Sequence, residues 1–141
     1  MAQSSRTWSV ALVIAGLLGC SLALYHLVLP YQMGWRQGLG GVPDSLVWAL
    51  FALNFSWSVL VFLAGGLVIH AAMLGPGAGA YARRTVFAVG LFWAIHGAYT
   101  WLNPLPLPGS LVWLRYVLGL FPAVVVVLHW LPLALSRRRL A

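Results

Sequence analysis

Four apolar stretches, each near the length needed to cross a bilayer, leave this chain few ways to fold. They run from Trp8 to Leu29, Ser45 to Leu74, Thr85 to Leu102 and Leu111 to Leu135. A hydrocarbon core of about 30 Å needs roughly 20 mostly apolar helical residues to span it. Backbone groups in lipid must bond within their own helix unless a closed barrel supplies partners, and nothing in the sequence alternates as barrel strands do. The expected fold is an all-α integral membrane protein with four transmembrane helices in an up-down-up-down bundle, one domain covering residues 1–141. Pro30, Gly75-Pro76-Gly77 and Asn103-Pro104 read as closures of the first three spans. Charged residues make up 6% of the chain, against about a quarter in soluble domains. That is too few to coat a water-facing surface, so lipid must cover it.

The charges also set an expected orientation. Arg6, Arg83, Arg84 and Arg137 to Arg139 fall on one side, and only Arg36 and Arg115 fall on the other. The positive-inside rule places both termini and the Gly75–Ala82 loop in the cytoplasm, with a bacterial inner membrane as the expected location. Trp35, Trp48, Trp101 and Trp113 are then expected in an outer aromatic belt, with Trp8 and Trp130 near the inner interface. The same topology explains the basic balance of +7, so nucleic acid is not an expected partner. Leu17-Leu18-Gly19-Cys20 loosely resembles a lipoprotein cleavage site, but leucine before glycine fits poorly and the apolar run continues to Leu29.

The chain has no phosphate-binding glycine motif, no zincin motif and no paired cysteines, and its single acidic residue is Asp44. Acid–base chemistry and cation-coupled transport inside membranes usually rest on buried carboxylates. Most enzymes and classical cation-coupled carriers are therefore disfavoured, and no catalytic residue and no metal-ligand set is assigned.

Each span carries one histidine: His26, His70, His96 and His129. At about 1.5 Å per residue, His26 and His96 match in depth near the outer ends of their spans, and His70 and His129 match near the inner ends. Two such pairs are what two bis-imidazole haem b groups would need, with Arg115 positioned to neutralise a propionate. In that general respect the layout resembles four-helix b-type cytochromes, although no motif assigns the chain to a family. Histidines in bundles also serve as ordinary interhelical hydrogen-bonding groups, and that is the leading expectation here.

Asn54 and Ser58, one turn apart, share a face with Gly65 and predict a hydrogen-bonded helix interface. Ser56 falls on the face of His70. Asp44 is expected to pair with Arg36 or Arg115 as an outer latch, and Pro122 is expected to kink span four. The leading functional expectation is a non-enzymatic accessory subunit that packs against other membrane subunits or against itself. The alternatives are a bis-histidine haem b electron carrier and a small homodimeric transporter with Arg115 facing a cavity.

Overall fold

The computed structural model describes residues 2–75, 79–104 and 112–137. It is helical throughout: α1 (Ala2–Gln32), a single-turn α2 (Trp35–Gly38), α3 (Asp44–Leu74), α4 (Gly79–Leu102) and α5 (Val112–Arg137). Four of these are long and apolar enough to cross a membrane, over Trp8–Gln32, Asp44–Leu74, Gly79–Leu102 and Val112–Leu135. The architecture is that of an integral membrane protein. Arg138, Arg139, Pro76, Gly77 and Leu111, together with the side chains of Arg6 and Arg137, lie outside what is described.

Two expected boundaries move. Pro30 does not close the first span; α1 continues through it to Gln32. Proline lacks the N–H that would bond the carbonyl four residues back, here that of His26. Asn54 on α3 supplies the missing donor, its Nδ2 lying 2.7 Å from that oxygen. A helix in lipid can pass through a proline when a neighbour satisfies the freed group. The expected 75–82 loop also shortens, because α4 already begins at Gly79. Ala82 and Val86 are buried against Trp8 and Leu12, and arginine is a good helix former, so Arg83 and Arg84 extend the helix instead of ending it.

α1 and α3 form the most extensive pair. Contacts climb along one as they fall along the other, from Trp8 with Ala71, through Gly16 with Gly65, to His26 with Asn54. The backbones nearly touch midway. A Cβ on Gly65 would lie 2.7 Å from both Gly16 O and Cys20 Sγ, and one on Gly16 would lie 2.7 Å from Gly65 O. Small residues at such crossings let the dispersion contacts that drive helix association in lipid form along the whole seam. At the end of α3, Gly75 turns its N–H to Ala72 O, 3.3 Å away, in place of the regular bond to Ala71. Trp8 Nε1 then donates to Ala71 O at 3.5 Å, and Ser9 Oγ to Ala72 O at 3.2 Å. Trp8, at the start of the first span, is buried as a cap on its neighbour.

α4 and α5 repeat the device. Gly97 lies against Pro122, and Trp101 Nε1 donates to Gly119 O at 3.1 Å. That carbonyl lies three residues before Pro122, next to that of Leu118, the one from which proline withholds its usual donor. Trp57 of α3 meets Phe92 of α4 at 5.3 Å, and Phe121 of α5 meets Trp93 of α4 at 5.6 Å. These rings fill the middle of the bundle around Ala23, Val61 and Val125.

The glycine crossing yields a paired test. Gly65→Ala should lower unfolding stability in detergent by about 1–3 kcal/mol through overpacking. Gly66→Ala, whose Cβ would meet nothing within 4 Å, should be neutral or raise it by up to about 1 kcal/mol. Equal effects at the two positions would show that the crossing is not tight.

Candidate functional site

The polar groups inside the bundle fall into separate places. Nearest the α2 end, Asn54 ties α3 to α1: besides its bond to the His26 carbonyl, its Oδ1 lies 3.4 Å from His26 Nδ1. Ser58, buried one turn on, donates to Asn54 O at 2.7 Å. His96 comes in from α4 against the same stretch of α3, its ring on Trp57, three residues along from Asn54. Its ring packs on Trp57 at 5.3 Å, Trp93 at 5.8 Å and Phe92 at 6.4 Å. His26 and His96 are thus brought against neighbouring turns of α3. A macrocycle ligated there would have to displace an aromatic ring from His96.

The other two histidines are placed very differently from one another. His70 is exposed on α3, edge-on to Tyr81 at 6.3 Å. His129 is buried at 1% exposure, with Nδ1 2.7 Å from Val125 O in the preceding turn. A carbonyl only accepts, so the neutral ring carries its proton on Nδ1 and presents a lone pair at Nε2. That Nε2 is buried without a partner. Beside it, the Trp130 indole stacks on Phe87 at 5.9 Å, its Nε1 pressed against Gly90 and unpartnered. No contact among the described residues joins His70 to His129. Ser56 is exposed.

The expected latch at Asp44 is absent among the described residues. Arg36 places its guanidinium 5.9 Å over the Phe51 ring, a favourable cation–π position, and Asp44 opens α3 exposed in the same crevice. Arg115 is half-buried, and its Nε has no hydrogen-bond partner. No group of three or more His, Cys, Asp or Glu side chains that could hold a metal occurs among the described residues.

Two features escape a reading by residue type. The pairing of Asn54 with the carbonyl that Pro30 releases was signalled only by the four-residue step from His26 to Pro30. The other is a leucine at every seventh position of α3, Leu46, Leu53, Leu60, Leu67 and Leu74, all exposed.

The Asn54 bond can be isolated by a double-mutant cycle. Asn54→Ala alone should cost about 1 kcal/mol by leaving a part-buried carbonyl without a donor. In a Pro30→Ala background, where residue 30 regains its N–H, the cost should fall to about half or less. An unchanged cost would mean that Asn54 acts otherwise.

Compared with models of protein families, with curated proteins and with solved structures, the chain matches none, so its function has to follow from the chemistry of these residues.

Proposed function

We propose that this chain is a non-enzymatic packing subunit of a larger membrane assembly or of a homo-oligomer, with respiratory and photosynthetic complexes as the expected type. It crosses a bacterial inner membrane in up-down-up-down order with both termini in the cytoplasm. The antiparallel contact registers support the order of crossing, and the uneven arginine distribution supports the orientation.

The observation that carries the reading is the leucine seam on α3. Apolar surface alone does not drive association in lipid; close side-chain packing does. A seven-residue repeat keeps one stripe facing a partner helix along its length, each side chain seated between those opposite. Leu53 and Leu60 are 67% and 64% exposed, so the stripe is free of this chain's own helices. Several interior polar side chains, by contrast, hold the bundle together: Ser9, Asn54 and Trp101 each bond a backbone carbonyl of a neighbouring helix.

A photo-crosslinking residue at Leu60 or Leu67 in native membranes should give a discrete adduct above the 15.3 kDa chain. The same residue at Val124, exposed on α5, should give none. Lipid adducts alone from the α3 positions would sink the proposal.

A second reading, a haem b electron carrier, draws support from the placing of His26 and His96 against neighbouring turns of α3 and from the free Nε2 of His129. Visible spectra of a cofactor-replete preparation decide it. The packing-subunit reading expects only the tryptophan band. A Soret band with reduced α-bands, lost on replacing His96 or His129, would put the electron carrier first.

A further inference from the structure

Two hollows lie along α3, away from the leucine seam. The first is a crevice of about 520 Å³ at its starting end, walled by the α2 turn and the glycine loop and holding Arg36, Asp44, Trp48 and Phe51. The second is a groove of about 260 Å³ between α1 and α3, lined by Ala23, Leu27, Val59, Phe62 and Leu63. Its lining is apolar, because the hydroxyl of Ser58 at its edge is turned to Asn54 O.

The two hollows are in line. Trp48 of the crevice and Val59 of the groove stand close to three full helical turns apart, as do Phe51 and Phe62. Each pair therefore shares a face to within about 20°, separated by about 16 Å along the helix. That is close to the depth of one leaflet, half of a hydrocarbon core of about 30 Å. Phe55, between them in sequence, is exposed at 60%. A crevice with one cation and one anion, standing a leaflet's depth above an apolar groove, has the layout of a phospholipid with a doubly charged head.

We propose that these hollows bind one phospholipid bearing a phosphoethanolamine headgroup. Arg36 takes the phosphate in charge-assisted hydrogen bonds, Asp44 accepts from the primary ammonium, and one acyl chain follows α3 into the groove. Trp48, 73% exposed, stands at headgroup level, where its amphipathic ring is favoured. Phosphatidylglycerol offers Arg36 the same phosphate but gives Asp44 no cation. Phosphatidylcholine has a quaternary ammonium with no N–H to donate.

The test is native mass spectrometry of the full chain in lipid-free detergent, with phosphatidylethanolamine, phosphatidylglycerol and phosphatidylcholine of matched acyl chains added at equal concentration. Phosphatidylethanolamine should be retained about tenfold over either competitor, the scale of one charge-assisted hydrogen bond. Arg36→Gln should cut that retention about tenfold. Asp44→Asn should abolish the preference over phosphatidylglycerol while leaving phosphate binding. Val59→Trp, which fills the groove away from both charges, should weaken retention of the long-chain lipid. Circular dichroism checks that each exposed-site variant folds. Equal retention of the three lipids, or a preference that survives Asp44→Asn, overturns the headgroup assignment. Long-chain retention unchanged by Val59→Trp overturns the acyl-chain path.

Discussion

In lipid a backbone carbonyl cannot turn to water, and most of the hydrogen bonds between helices in this bundle end on one. Pro30 withholds a donor from the His26 carbonyl, and Asn54 of α3 provides one at 2.7 Å. Pro122 withholds a donor from the Leu118 carbonyl, and the oxygen of Gly119 next to it receives the Trp101 indole N–H. At the end of α3 the Ala71 carbonyl loses its regular donor while that of Ala72 takes the Gly75 N–H, and Trp8 and Ser9 reach the two oxygens from α1. Each donor comes from a different helix than its acceptor, so satisfying the backbone also fixes which helices lie together and at what height. Buried polar groups that remain unpaired in a low-dielectric interior are costly, which gives these few bonds an influence beyond their modest individual strengths.

Glycine supplies the complementary constraint. At Gly16–Gly65, Gly90–Trp130 and Gly97–Pro122 the partner occupies the space where a side chain would stand. The seams are close because small residues recur where prolines and indoles need room. With the interior filled by backbone, alanine, valine, Leu12 and aromatic rings, many of the large aliphatic side chains point outward. On α3 they do so at a regular seven-residue interval, a surface suited to a second helix. On the neighbouring face the same helix carries the aligned crevice and groove. A protein partner and a lipid can therefore be accommodated on one helix without competing for the same side chains.

The histidines illustrate why depth alone does not define a site. Spacing along the chain matched them two and two, and His26 and His96 do meet neighbouring turns of α3. His70 and His129, matched equally well in depth, differ in facing: one is exposed beside Tyr81 and the other is sealed within the bundle. Depth follows from counting residues, whereas facing depends on how each helix is rotated against its neighbours, which no local pattern records. The expected Asp44 pairing failed for a related reason. Opposite charge at similar height identified the arginines, but the path of the α2 turn carried Arg36 over Phe51 instead.

The sequence by itself determined the number of spans and their helical nature, because apolar length and charge count are additive along the chain. That Asn54 and Gly65 lie on one face of span two was also readable, and both meet α1, whereas the Ser58 hydroxyl turns back to its own helix. Only the tertiary structure decided that α1 runs through Pro30, that α4 starts at Gly79, that Trp8 caps a neighbour and that one histidine of four is sealed inside. Each of those outcomes turns on a group supplied by another helix, and the partner of a freed carbonyl is chosen by packing, not by the residues beside it in the chain.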